Sequence, residues 1–255
     1  VSGDTDATLT YTSRTYNSKD VASADTVTVS GLSISSITGS NSSASTDYVL
    51  DSTSKSKTAS ITKTPLGITV SGIYSGSTTL SPSSFTTTGL VNSETISTLT
   101  SATLNSKNVA DNTTNYVSAI AINSGTANAS NYQITQARNA SSGTTQNTVS
   151  LSAAPLTVTG TTAPSKTYDG TNTATVTGGS LSGTKGSDSI TLTQAGTYSS
   201  VDAGSNISIT MNDSVSGTGV STNYSLTQPT VTGTINKAPL GITVSGIYSG
   251  STTLS

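Results

Sequence analysis

The sequence predicts an all-β protein built from tandem small β-sandwich modules that are arranged as an extended rod. Three observations lead to this prediction. Serine and threonine make up 103 of the 255 residues, short stretches alternate apolar and hydroxyl side chains, and one segment of 17 residues occurs twice. Threonine, valine and isoleucine favour strands because their forked Cβ packs well on a pleated surface.

The strands are indicated by alternation with a period of two. Stretches such as TVTVS (26–30), GITVSGI (67–73), ATVTG (174–178) and NISIT (206–210) place apolar side chains on one face and hydroxyls on the other. This pattern is typical of half-buried antiparallel strands. Turn-forming clusters separate the stretches at the spacing of immunoglobulin-like sandwiches, and no long window shows helical periodicity.

Internal repeats give the domain organisation. The segment Pro65–Ser81 recurs identically at Pro239–Ser255, and a diverged copy begins at Pro155. A tyrosine preceded by Asn or Asp and a turn of the type NSK[D/N]VA recur in the same order between these markers. The repeating unit is therefore a module of about 85–90 residues, with alternating A and B types.

Four segments follow from these markers. Residues 1–64 are predicted to be the C-terminal part of a truncated module, and residues 239–255 the opening strands of the next A-type module. Between them, 65–154 is predicted to be a complete A-type module and 155–238 a complete B-type module. The sequence itself leaves open whether the chain is a window on a longer array or the subunit of a filament.

Tyrosine is predicted to supply much of each core, because the chain has ten tyrosines, one phenylalanine and no tryptophan. The tyrosines of the repeated marker, Tyr48, Tyr132 and Tyr224, are the predicted core residues. A tyrosine can bury its ring while its hydroxyl finds a partner at the rim. Their setting before the last strands resembles the tyrosine corner of immunoglobulin-type sandwiches.

The B-type module resembles a known family. The stretch KTYDGTNTATVTGGSLSG (166–183), followed by GSDSITLT and STNYSLTQPTVTG, is similar to the YDG repeat, and to the related MBG type, of large bacterial surface adhesins. Those adhesins are filamentous-haemagglutinin-like proteins of two-partner secretion. The resemblance implies an extracellular, cell-surface stalk without catalytic residues. The A-type module departs from the pattern because Ser75 replaces the aspartate.

The tripeptide Tyr168, Asp169 and Gly170 is predicted to be a structural turn rather than a binding site. Asp-Gly favours a type I′ hairpin, in which both central residues need a positive φ. We therefore expect a two-stranded hairpin around Asp169 and Gly170.

Composition argues against several function classes. The chain has no cysteine or histidine, so disulfides and the usual bases of nucleophilic catalysis are absent, and the chain is not expected to be an enzyme. A net charge of −2 with scattered cations gives no face for nucleic acid, and no apolar run is long enough to insert into a membrane. No cofactor is expected, although Ca²⁺ at module junctions stays an alternative.

Together with the repeats, the resemblance implies stalk or spacer repeats in a secreted adhesin that mediates surface or biofilm adhesion. The partners are neighbouring modules, with host or biofilm glycans bound through other domains. Two alternatives stay open: homo-assembly into a filament or surface layer by strand pairing between subunits, and repeats that themselves bind glycan or matrix multivalently.

Overall fold

The computed structural model describes residues 1–217, 219–248, 250 and 252. Strands take up 46% of the chain and helices 6%, which confirms the all-β prediction. The strands are β1 (Asp4–Thr10), β2 (Ser13–Tyr16), β3 (Thr26–Ser30), β4 (Ser33–Gly39), β5 (Ser54–Thr58), β6 (Thr64–Pro65), β7 (Gly67–Ile73), β8 (Thr79–Leu80), β9 (Ser84–Thr88), β10 (Ile96–Leu104), β11 (Val117–Gly125), β12 (Tyr132–Gln133), β13 (Asn147–Ser152), β14 (Ala154–Thr159), β15 (Lys166–Thr167), β16 (Thr173–Ala174), β17 (Ser180–Ser182), β18 (Ile190–Thr193), β19 (Gly196–Tyr198), β20 (Gly204–Met211), β21 (Ser214–Gly217), β22 (Tyr224–Thr227) and β23 (Val231–Asn236).

The few helical turns among the described residues are short. Three of them end directly before a marker tyrosine, namely the 3-10 turns Ser45–Asp47 and Ala129–Asn131 and the α-helical turn α1, Val220–Asn223. A further 3-10 turn spans Val109–Thr113. The Asn or Asp before each marker tyrosine is thus the last residue of a helical turn.

The chain divides into two compact units. The first consists of Val1–Ile73, Ser77–Lys107 and Asp111–Leu151, and the second of Tyr74–Gly76, Asn108–Ala110 and the described residues from Ser152 on. The four predicted segments follow the sequence repeats, and they stay a prediction.

The first unit is made of small sheets. Their strand orders are β1–β4, β2–β3–β5, β11–β10–β8, β12–β6 and β13–β7–β9. The best-buried strand is β7, which lies between β13 and β9. Its alternation works as predicted, because Ile68 and Val70 are 0% exposed while Ile73 on the other face is 53% exposed.

The second unit contains a five-stranded sheet in the order β15–β23–β20–β19–β16, a sheet β17–β14–β22 and the pair β18–β21. Tyr198, Ile209 and Ile235 form one core cluster on the five-stranded sheet. A second cluster joins Tyr74, Ala154, Leu156 and Tyr224. The stretch 174–178, predicted to be a strand, contributes only the end of β16 and an isolated bridge at Thr177.

The alternation predicted antiparallel strands, but some of the strand pairs are parallel. The pairs β6 with β12, β14 with β22, and β15 with β23 are parallel. Parallel strands need a long crossover connection. The strand at the Pro-Leu start of a repeat and the strand that begins at its marker tyrosine are far apart in sequence, so the residues between them can form this crossover.

The last segment differs from its identical counterpart. Residues 239–248 form no strand among the described residues, although the same sequence forms β7 after Pro65. Strand β7 is held by β9 and β13, whereas residues 239–248 pair with no strand among the described residues. The remainder of the predicted opening, at 249, 251 and 253–255, lies outside the described residues.

Candidate functional site

The three marker tyrosines share one hydrogen-bonding arrangement. The hydroxyl of Tyr48 donates to Asp4, that of Tyr132 donates to Glu94 at 2.6 Å, and that of Tyr224 donates to Asp188 at 2.8 Å. Tyr132 and Tyr224 are 5% and 7% exposed, whereas Tyr48 is half-buried. All three predicted core tyrosines therefore occupy equivalent positions.

Each acceptor carboxylate closes a tight turn. The backbone N–H of Asp4 donates to the carbonyl of Val1 at 3.2 Å, Glu94 to Val91 at 2.9 Å, and Asp188 to Lys185 at 3.1 Å. The hydroxyls of Tyr132 and Tyr224 also accept a bond from the first N–H of this turn, Val91 and Lys185, at 3.2 and 2.8 Å. Each of these two hydroxyls is thereby used both as donor and as acceptor.

The carboxylates were missed by the sequence reasoning. Glu94, the only glutamate of the chain, occupies the place that Asp4 and Asp188 have in the other two contacts. The separation from carboxylate to tyrosine is 44, 38 and 36 residues. Because these separations are unequal, the sequence does not show which acid pairs with which tyrosine. The feature that the three acids share is the turn of three residues that precedes each of them.

The asparagine before two of the tyrosines makes a second recurring contact. The Asn131 carboxamide oxygen accepts the N–H of Val21 at 2.9 Å, and its Nδ2 donates to Asp20 at 2.7 Å. Asn223 does the same with Val109 at 2.9 Å and with Asn108 at 3.2 Å.

We call this arrangement the asparagine clasp. It joins the Asn of one repeat to the NSK[D/N]VA turn of the repeat before it. At the first marker the corresponding residue is Asp47, whose carboxylate instead accepts the N–H of Ala44 at 2.8 Å.

Tyr74 adds a contact in the second unit. Its hydroxyl donates to Asp188 at 2.7 Å, so that carboxylate receives two tyrosine hydroxyls. The rings of Tyr74 and Tyr224 meet edge to face, with centroids 5.3 Å apart and planes at 73°. Edge-to-face pairs are favourable because the positive ring edge faces the negative ring face.

The predicted turn at Tyr168, Asp169 and Gly170 exists, but the hairpin prediction is wrong. Gly170 has a φ of 75°, whereas Asp169 does not have a positive φ. The flanking strands do not pair with each other, because β15 pairs with β23 and β16 with β19. The turn is stabilised by the Asp169 carboxylate, which accepts hydrogen bonds from the Thr171 N–H and hydroxyl, both at 2.9 Å. Such local bonds from an Asp side chain to the residue two positions later are typical of turns.

A family model supports the resemblance for this part of the chain. The model for the YDG domain matches residues 152–232, a range that begins where the continuous part of the second unit begins. Residues 152–232 form a YDG domain. No curated protein and no solved structure matches the chain.

Burial controls the ionisation of tyrosines that contact the YDG domain core. It raises the pKa of Tyr74 and of Tyr224 to about 12, and the bonds to Asp188 add to the effect. Burial likewise raises the pKa of Tyr132, and the bond from Tyr48 lowers the pKa of Asp4. At neutral pH these tyrosine hydroxyls therefore stay protonated and can donate.

The turn of the YDG domain provides a prediction of pH dependence. Lys166 lies 2.8 Å from Asp169, and this bond, followed by the bonds from Thr171, lowers the Asp169 pKa from 3.8 to about 2. Because the pKa is lower in the folded chain, the turn is fully stabilised above about pH 4 and loses this stabilisation as pH falls through about 2. We expect an NMR titration of the Asp169 carboxyl carbon to have its midpoint at about 2.

A lysine substitution tests whether Lys166 lowers the pKa of Asp169. Lys166→Gln is expected to move the midpoint towards 3.8, whereas Lys185→Gln, in the same unit, leaves it unchanged. A midpoint near 3.8 in the unaltered chain would show that Lys166 does not hold the turn.

Among the residues that the structure describes, no group of three or more acidic side chains is placed to hold a metal ion. The Asp4 carboxylate, part of the closest aspartate pair in the sequence, accepts bonds from Tyr48 and Ser43. In the same part of the chain, no helix is long and apolar enough to cross a membrane.

Proposed function

We propose that this chain is a stalk segment of a secreted bacterial surface adhesin, built from tandem β-modules that fold separately and stack into a rod. The observation that supports the proposal is the asparagine clasp. It occurs twice, once between the first repeat and the A-type repeat and once between the A-type and B-type repeats. In each, the Asn accepts a valine N–H and donates to the side chain of the residue before that valine, Asp20 or Asn108. A contact that recurs from repeat to repeat fixes the same geometry at every junction, which produces an extended array.

The chemistry of the clasp suits a stalk. Asn223 is 2% exposed and satisfies the N–H of Val109, a backbone group that would otherwise lose a partner. The bonds of Asn223 with the Val109 N–H and with Asn108 join neutral groups, so they are little affected by salt, unlike a surface ion pair. The junction would therefore keep its strength in extracellular media of varying ionic strength.

The surface chemistry supports the same role. Charged residues are 9% of the chain, and the described strands present serine and threonine hydroxyls to solvent. Such a surface stays hydrated without attracting ions or nucleic acid. On this proposal the modules are non-catalytic and extracellular, their partners are neighbouring modules, and adhesive ligands such as glycans are bound by other domains of the protein.

Small-angle X-ray scattering on arrays of increasing length tests the proposal. The arrays are this chain and the same chain with one or two further copies of residues 65–238. A rod requires the radius of gyration to rise by equal increments. Compact packing of the same lengths gives only about 18 Å for 255 residues and about 22 Å for 429 residues, and values at those levels would contradict the stalk.

A control array separates stiffness from length. In it, Asn131, Asn223 and their copies are changed to alanine. We expect unchanged mass with a smaller maximum dimension, because the junctions then bend. Equal maximum dimensions in the two arrays would mean that the clasp does not stiffen the rod.

A further inference from the structure

The first and last parts of the B-type repeat run side by side in the same direction. Strand β14 pairs with β22 in parallel, with Ala154 opposite Tyr224. Strand β15 pairs with β23 in parallel, with Lys166 opposite Ile235. The separation in sequence between opposite residues is nearly the same in the two pairs, so the register is kept from one pair to the next.

Both parts change from one sheet to another together. We call residues 154–167 the first arm and residues 224–236 the last arm. Strands β14 and β22 lie in one sheet, whereas β15 and β23 lie in the five-stranded sheet. Each arm buries side chains along this path, Leu156 in the first arm and Tyr224 and Ile235 in the last. The arms are therefore paired and packed in both sheets.

The A-type repeat pairs its opening and closing strands in the same way. Strand β6 pairs with β12 in parallel, and β7 pairs with β13. The Ile68 N–H donates to the Gln146 carbonyl and the Tyr74 N–H to the Ser152 carbonyl, both at 2.8 Å. These two bonds join residues with the same separation in sequence, so β7 and β13 also run parallel. The arrangement thus occurs in both repeats.

The direction of the arms decides how a pull along the chain loads the bonds between them. The chain enters the B-type repeat at the start of the first arm and leaves it at the end of the last arm. Because the arms run parallel, these two points lie at opposite ends of the pair. A pull along the chain therefore slides the arms past each other and strains the backbone bonds between them together. Antiparallel arms would have both points at one end, where the bonds would break one after another.

We propose that the paired arms are a shear clamp, which enables each of these repeats to carry tension along the chain. Unfolding under force is governed by the rate of the unfolding step. In this fold that step has to separate the arms, because they connect the two points where the load enters. Several bonds and the packing around Leu156 and Ile235 are then lost in one event, which makes the step slow.

The clamp and the asparagine clasp have different roles. The clasp joins one repeat to the next and fixes their junction, whereas the clamp lies within a repeat and resists its extension. That tension arises in use rests on the proposed stalk function. The resistance itself belongs to each repeat and is measured whether or not the repeats stack into a rod.

Pulling the full chain in two directions with optical tweezers tests the proposal. The chain has no cysteine, so two introduced cysteines define where DNA handles are attached under reducing conditions. Handles at Ser152→Cys and Lys237→Cys lie at opposite ends of the arms. Handles at Ser152→Cys and Thr222→Cys lie at the same end, because Thr222 precedes the last arm as Ser152 precedes the first. At one loading rate, we expect the first variant to unfold at a force several times higher than the second.

The two variants are matched in stability. All three positions have exposed side chains, so the variants should have the same circular dichroism spectrum and the same midpoint of thermal unfolding. A difference in unfolding force then comes from the pulling direction alone. Equal forces in the two directions, or a higher force with both handles at one end, would overturn the clamp. Neither result changes the scattering expected of a rod, so the two proposals fail separately.

Two core substitutions show whether the arms separate first. Leu156→Ala lies in the first arm, and Met211→Ala lies in β20, outside both arms. Both side chains are buried, and both changes should lower equilibrium stability to a similar degree. With handles at positions 152 and 237, only Leu156→Ala should lower the unfolding force clearly, because packing around Met211 persists when the arms separate. An equal fall in force for both substitutions would contradict the clamp.

Discussion

Replacing Tyr224 with alanine is expected to lower the free energy of unfolding of the second unit by about 3–5 kcal/mol, the usual cost of truncating a buried aromatic side chain. The ring is 7% exposed and packs against Tyr74 and Leu156. Its loss opens a cavity and removes a donor to Asp188. Denaturant unfolding followed by hydrogen exchange at the amides of β14 and β22 measures the change for this unit.

Two further variants separate the contribution of the buried Tyr224 ring from those of its hydroxyl bonds and of an exposed tyrosine. Tyr224→Phe keeps the ring and removes the bonds with Lys185 and Asp188, so a loss of about 1–2 kcal/mol is expected. Tyr168→Ala, at a tyrosine that is 44% exposed in the same unit, should cost at most about 0.5 kcal/mol. Equal losses for Tyr224→Ala and Tyr168→Ala would mean that the marker tyrosine is not a core residue.

Replacing Asn223 with alanine is expected to cost about 2 kcal/mol, because the N–H of Val109 then loses its acceptor in a buried setting. Asn131→Ala should have a smaller effect on the first unit, since Asn131 is only half-buried. Thermal unfolding monitored by circular dichroism gives both values. Asn212→Ala is the control, because its side chain is exposed, and a loss there as large as at Asn223 would contradict a specific role for the clasp.

Strand positions were predictable where the alternation was complete. The stretches 26–30, 67–73 and 206–210 all lie in strands, β3, β7 and β20. The pattern works because a half-buried strand needs apolar groups on one face only. The stretch 174–178 shows the limit, since its alternation is equally good but only the end of β16 forms there.

Strand partners were not predictable from the local pattern. The segment after Pro65 and the segment after Pro239 have the same sequence, yet the first is the buried strand β7 and the second forms no strand in residues 239–248. The first copy pairs with β9 and β13, whereas the second has no strand partner among the described residues. Strand formation is thus decided by contacts between distant residues.

The tyrosines of the candidate site were predictable, but their partners were not. Tyr48, Tyr132 and Tyr224 follow from the repeated marker and from the scarcity of other aromatic residues. The carboxylates Asp4, Glu94 and Asp188 lie at unequal separations from them, because loops between the turn and the tyrosine differ in length. Nor did the sequence show that the Asn of the marker contacts the preceding repeat, since that contact spans 110 to 115 residues.

Amide hydrogen exchange at Val21 and Val109 shows whether the same asparagine clasp joins successive repeats. Both N–H groups donate to an Asn side chain of the following repeat, so both should exchange slowly. Asn131→Ala should accelerate exchange at Val21 alone, and Asn223→Ala at Val109 alone. Fast exchange at both valines in the unaltered chain, or acceleration at the wrong valine, would contradict the clasp.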